Sequence, residues 1–529
     1  MFSENVLTAK DQHLLEASTA SASRRRGPAV AVAALAALAG AALLTISPML
    51  AASPTGVTRV GTDIPATAMD EAVGPDNNSP ALVADPGDSR FVVMANRLDG
   101  PDFSCALQLS GDGGGSWIPA NPVPKLPKGA EKCYAPEAAF DRSGRLYYLF
   151  VGLAGGGNQP MGAFLTSSVD RGRTFSTPRK VLGPLNFSVR MAVDPAVGRS
   201  GRIHLVWVHA SSPPAAGFAP VPNPILAAYS DDSGATFSRP VTVSDPTRDM
   251  VVAPALTLGP GHAVQVAYYD LGNDARDYQG VEGPTWDGRW SVVSTTSLDG
   301  GRHFGRGVVV DDAIVPVERV MLIFTMPPPS LVAGRRLLCA AWTDARYGDA
   351  DALGRCSHDG GRRWDGVRRL NDDRKGTGAR QYLPRLALAP GGRLDALFLD
   401  RRNDPFNRLY DTYYTFSTDG GRRFAASRKL DSAPSNSTKG SQYAGVAANG
   451  QYEFGSRLGL LSRRHSVVAA WPDTRNSNGH AQDVFATRVD LAGGTRPRWS
   501  ALIGVALVAV GVVLLVRSRR RQPMDRGEA

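Results

Sequence analysis

The sequence predicts an all-β propeller of seven blades, with six as the alternative count, closed by its own N-terminal strand and flanked by a candidate transmembrane helix at each end. Three observations predict it. An eight-residue pattern (Ser, any residue, Asp, any residue, Gly, two residues, then Trp or Phe) occurs at Ser110 to Trp117, Ser168 to Phe175, Ser230 to Phe237, Ser297 to Phe304, Ser357 to Trp364 and Ser417 to Phe424. Its aspartates, Asp112, Asp170, Asp232, Asp299, Asp359 and Asp419, follow one another at 58 to 67 residues, a period that marks a repeat architecture and suits one four-stranded blade per copy. Between the copies lie short β-rich runs bounded by Gly and Pro, with no long helical period.

Taken from the N-terminus, residues 1–28 end in Arg24-Arg25-Arg26 and are read as a cytoplasmic segment. Residues 29–52 form an apolar run, either a membrane-spanning signal anchor or a signal peptide cleaved near Ala51-Ala52. The propeller is expected over residues 57–490. Val57-Thr58-Arg59-Val60 resembles the segments that follow the boxes, such as Arg179-Lys180-Val181, so it is expected to complete the last blade and leave no free edge.

Within each unit a first strand starts near a proline or aromatic, as at Ser79-Pro80, Ala135-Pro136-Glu137 and Tyr382-Leu383-Pro384. A second strand follows, as at 91–95, 205–208, 264–269, 338–342, 396–399 and 467–471, and a third runs into the box. The seventh unit, 441–490, has three strands and no box, and the unit around Pro327-Pro328-Pro329 is irregular, which keeps six blades open. A second apolar run, 499–516, is closed by Arg517, Arg519, Arg520 and Arg521 in a basic tail, 517–529. Basic clusters outside both runs place the ends in the cytoplasm and the propeller on the extracellular side of the cell membrane.

Each repeated octapeptide has the chemistry of a tight turn. Its carboxylate can accept hydrogen bonds from N–H groups further round the turn, Gly supplies the positive φ, and the aromatic is buried under the blade. The six aspartates are therefore structural. They lie between third and fourth strands, whereas the loops after the second strands open on the opposite face, where a ligand is expected.

Net charge is +10, and 43% of the residues are hydrophobic, enough for a large core. Nucleic acid is an unsuitable partner for a domain whose acids are interspersed with its arginines. The four cysteines suit two disulfides, Cys105 with Cys133 and Cys339 with Cys356, in an oxidising exterior; four buried thiols are the alternative. No Cys/His cluster suggests zinc and no cofactor motif is present. Asp270, Asn273, Asp274 and Asp277 could face Ca²⁺, but they read better as a solvated acidic loop.

Three second strands end alike, at Trp342-Thr-Asp344-Ala-Arg346, Phe398-Leu-Asp400-Arg401-Arg402 and Trp471-Pro-Asp473-Thr-Arg475. These pairs are either inter-blade ion pairs or an electropositive cup for an anion. The repeated octapeptide is the Asp-box, and its repetition over about Val57 to Asp490 resembles the sialidase-like (BNR repeat) β-propellers.

The resemblance implies a retaining exo-sialidase pattern with a tyrosine nucleophile. By position, Tyr443 is the nucleophile, Glu318 its partner and Asp99 or Asp102 the acid, with Arg346 and Arg402 or Arg408 clamping a carboxylate. Arg475 belongs to the same face. The chain departs from the family at Asn77-Asn78-Ser79-Pro80, where the first arginine of the clamp is missing and only Arg97 could replace it. The sequence thus favours a membrane-anchored module binding a glycan or a surface protein. The alternative is an active exo-α-sialidase, and a structural role in the envelope is a third reading.

Overall fold

The computed structural model describes residues 56–67, 76–99, 102–120, 124–155, 159–195, 197, 201–210, 223–274, 286–317, 326–439, 455–475 and 482–492. Seven antiparallel sheets are arranged as blades. Blade 1 comprises Asn77–Ala84, Val92–Leu98, Ser104–Ser110 and Ile118–Pro119. Blade 2 comprises Lys132–Phe140, Leu146–Ala154, Gln159–Ser168 and Arg179–Leu182, and blade 3 Asn186–Asp194, Arg202–His209, Ile225–Ser230 and Val241–Thr242. Blade 4 runs through Val251–Leu258, Val264–Asp270, Trp290–Ser297 and Val308–Ile314. Blade 5 has Ser330–Ala333, Leu338–Asp344, Asp351–Ser357 and Arg368–Arg369; blade 6 has Gln381–Leu388, Leu394–Asp400, Leu409–Ser417 and Arg428–Lys429. In blade 7, Gly459–Ser462, Ser466–Asp473 and Asp483–Leu491 are completed by Val57–Val60, whose Val57 faces Leu491 and whose Val60 faces Val489. Seven blades and the N-terminal closure are as the sequence implies.

Second strands are buried along almost their whole length, as in Leu146–Ala154 and Leu394–Asp400, because each is covered by the blades on either side. The core is accordingly divided into seven apolar seams, one between each pair of neighbouring blades. The box aromatics Trp117, Phe175, Phe237, Phe304, Trp364 and Phe424 pack under their own blades as expected, and each does so in the seam shared with the preceding blade, as where Phe175 meets Tyr148 of its own blade. The box is a staple between blades.

All six boxes share one network. The Ser hydroxyl donates to the Asp carboxylate at 2.7–2.8 Å. The same carboxylate accepts a backbone N–H four residues on at 2.9–3.0 Å. The box glycines sit at φ between 82° and 97°, where a Cβ would be strained.

Blade 7 has no box, and its seam with blade 6 is stapled differently. Arg393 and Asp395 form a buried ion pair; Arg393 donates to the carbonyls of Arg463 and Arg464, and Ser462 and Tyr414 donate to Asp395. Two disulfides are formed, Cys105–Cys133 between blades 1 and 2 and Cys339–Cys356 across adjacent strands of blade 5.

The acidic loop after Val264–Asp270 is not the solvated one that the sequence suggests. Asp274 is fully buried and accepts the Trp290 indole N–H at 2.8 Å, and Asp270 pairs with Arg248; Asp277 lies outside the described residues. Among the described residues no helix is long and apolar enough to cross a membrane, and the two candidate spans, 29–52 and 499–516, lie outside them.

Candidate functional site at the channel mouth

First strands line the central channel, and five of them carry the same irregularity near their starts. Ser79, Ala135, Ser188, Ala253 and Leu383 have φ of 50–53°, each at a register shift against the second strand. In four of the five a proline follows, Pro80, Pro136, Pro254 and Pro384. Such non-glycine conformations cost on the order of 1–3 kcal/mol each and persist only where the surroundings over-determine them. Their effect is to turn main-chain carbonyls into the channel and to set the next side chains there. At the same offset from the kink stand Ala81, Glu137, Arg190, Ala255 and Arg385.

The charged members meet across the channel. Arg190 donates to Glu137 at 2.9 Å and, through Nε, to the Pro254 carbonyl at 3.2 Å. Arg457 enters from the segment before Gly459–Ser462, donating to Glu137, to the Pro136 carbonyl, and through Nε to the Ser79 carbonyl at 3.0 Å. Gly455 (φ 86°) makes this approach possible, since a Cβ there would stand 2.6 Å from Ser79 Oγ. Arg385 makes no hydrogen bond or ion pair among the described residues, and its buried Nε has no acceptor.

The electrostatics follow from this set. Three guanidiniums face one carboxylate, Glu137. Burial works to raise Glu137, but Arg457 and Arg190 overcome it and hold its carboxyl below the usual range. Burial, and then the neighbouring Arg457, push Arg385 down to about 10. Cations crowded into a desolvated space lower their energy by taking up an anion.

Two concavities open here and share Ser456 and Arg457. One is lined by Ser79, Arg97, Tyr134, Ser188 and Arg190, the other by Tyr269, Ser330, Trp342, Thr343 and Arg385.

Arg97 lines the first concavity, donating to the Tyr134 hydroxyl at 2.5 Å and gripping both oxygens of Asp99 at 2.5 and 2.6 Å. Asp99 is buried and also accepts from Asn78, so both oxygens are committed. Asp102 is exposed and pairs with Lys132. Arg346, Arg402 and Arg475 do stand at second-strand ends opposite the boxes, but their guanidiniums turn sideways. Arg346 bridges Asp344 and Asp311, Arg402 bridges Asp400 and Asp372, and Arg475 bridges Asp473 and Asp63. Of the two alternatives, ion pairing at the seams is the one observed. Arg408 is exposed, its backbone N–H bonded to Asp404. Glu318 and Tyr443 lie outside the described residues.

The sequence reading missed Glu137, Arg190, Arg385 and Arg457. A charged residue at one fixed offset from the start of several first strands was the available sign.

Six boxes at the turn from third to fourth strand, in a closed ring of seven four-stranded blades, decide the architecture. The fold is a seven-bladed β-propeller carrying six Asp-boxes. No protein-family model matches the sequence, and no curated protein matches it. Among solved structures this propeller is similar to a protein of unknown function from Dyadobacter fermentans, with 12% identity and a TM-score of 0.47 over 82% of this chain and 99% of that one. It is also similar to a Hadza microbial sialidase (15% identity, TM-score 0.43, 75% and 73% of the two chains) and to an endosialidase of phage phi92 (10%, 0.43, 83% and 70%).

Proposed function

We propose that this chain is a membrane-tethered, outward-facing propeller that binds an acidic ligand, on a glycan or a surface protein, at the mouth of its channel without catalysis. The observation that carries the reading is the set of three guanidiniums, Arg190, Arg385 and Arg457, around the single carboxylate of Glu137, with Arg385 unpaired among the described residues. A desolvated guanidinium recognises a carboxylate through charge-assisted hydrogen bonds. Binding is preferred to hydrolysis because a general acid must present a proton to the ligand, whereas Asp99 is committed on both oxygens and Asp102 is exposed and paired with Lys132. Tethering through 29–52 and 499–516 rests on their apolar length and basic flanks, and the two disulfides suit an oxidising exterior.

The test is an array of sialylated, uronate-bearing and neutral glycans probed with the ectodomain and with Arg385→Gln, run beside a fluorogenic sialoside assay that includes Tyr443→Phe. Acid-selective binding weakened by Arg385→Gln, without turnover above the Tyr443→Phe variant, is expected. Turnover that the tyrosine variant abolishes would return the chain to the sialidase-type alternative.

A further inference from the structure

The mouth has an apolar annex that narrows the class of ligand, and the inference rests on the acid-binding reading. Between blades 2 and 3 a cavity of about 30 Å³ is lined by Phe103, Tyr134, Val151, Leu153, Pro160 and Phe187. It shares Tyr134, Ala135 and Ser188 with the concavity that holds Arg190 and Arg457. Tyr134 is the partition. Its hydroxyl accepts from Arg97 on the cationic side, and its ring meets Phe103 edge-on, with centroids 5.0 Å apart, on the apolar side.

The two compartments therefore ask for a charged group and a hydrocarbon group side by side. Apart from Ser188 and Asn186, whose amide is already bonded to the Gly183 and Pro184 carbonyls and to His209, the walls are hydrocarbon, so a hydroxyl-bearing sugar ring placed in the annex would bury most of its oxygens without partners, at about 1–3 kcal/mol for each one left unpaired. A space of this size holds two or three heavy atoms, since one water-sized probe needs roughly 10–15 Å³. An α-amino acid at a chain end joins a carboxylate and an aliphatic branch on one carbon, which is the juxtaposition the two compartments present.

We propose that the mouth binds the C-terminal residue of a partner polypeptide, with its α-carboxylate at Arg190 and Arg457 and a short aliphatic side chain of valine size in the annex. Arg385 adds attraction for the charge without contributing to the annex.

The probes are dye-labelled pentapeptides Gly-Gly-Gly-Gly-Val as the free acid and as the amide, and Gly-Gly-Gly-Gly-Gly as the free acid, titrated by fluorescence polarisation. Amidation and the loss of the valine side chain should each weaken binding about tenfold or more. Phe103→Ala, which removes a half-buried wall, should narrow the gap between the valine and glycine acids. Arg385→Gln should weaken both acids and leave that gap. Equal affinity for the valine and glycine acids would overturn the annex assignment. Binding of acidic glycans with no binding of any peptide acid would overturn the polypeptide partner and leave the acid-binding reading standing; binding of neither would remove both.

Discussion

A buried or networked carboxylate in this protein titrates according to what surrounds it, and the two extremes give opposite pH dependence. Asp170 is held down to about 2, first by the Thr174 hydroxyl and then by that of Ser168, and Asp232 likewise by Thr236. The folded chain gives up these protons more readily than the unfolded one. Their stabilisation is therefore complete above about pH 4 and lost as the pH falls towards 2. Thermal melts between pH 5 and pH 2 should show the loss, and Asp419→Ala should lower the melting temperature at neutral pH while leaving ligand binding intact.

Asp431 behaves in the other sense. Burial, and then the adjacent Asp411 carboxylate, push it up to about 7. Between about pH 4 and 7 the folded chain keeps a proton the unfolded chain has lost, so this residue makes stability fall as the pH rises through that window. Asp431→Asn should flatten the slope in urea midpoints measured at pH 5, 6, 7 and 8; an unchanged slope would assign it to other groups.

At the scale of strands and turns, what was legible in the sequence is what a single segment encodes by itself. The boxes carry their whole network within eight residues, and second strands betray themselves by uninterrupted hydrophobicity, so both were placed correctly. The channel cluster was not legible because its partners lie in different blades, as far apart in sequence as Glu137 and Arg457, and only ring closure brings them together. The same holds for the seams. Asp344 with Arg346 reads as a local pair, but Asp311, from the neighbouring blade, is the second acceptor. Arg402→Ala should leave Asp400, which is fully buried, without its guanidinium partner, at a cost of about 2–4 kcal/mol by denaturant unfolding. Binding of acidic ligands should persist. A loss of binding at unchanged stability would mean that the seam arginines face a ligand after all.

For the whole molecule, the N-terminal strand in blade 7 makes the ring interdependent. Val57 and Val60 pack on the seam between blades 6 and 7, the one seam without a box aromatic from its following blade. Deleting 57–60 should leave Asp483–Leu491 with an open edge and lower the unfolding midpoint of the entire propeller in one transition, which calorimetry would follow. Separate melting of blade 7 would instead show that the blades fold independently.

That closure also fixes how the domain responds to load. The chain enters at Gly56 and leaves at Ala492, and the Ala492 N–H donates to the Gly56 carbonyl at 2.9 Å. Tension applied through the two ends therefore acts on one end of an antiparallel ladder and breaks its hydrogen bonds one after another, like a zipper. The channel mouth, built from first strands, is not in the line of force until the clasp has opened. A propeller held at both ends would release its outermost strand under pull before it loosened its grip on a ligand.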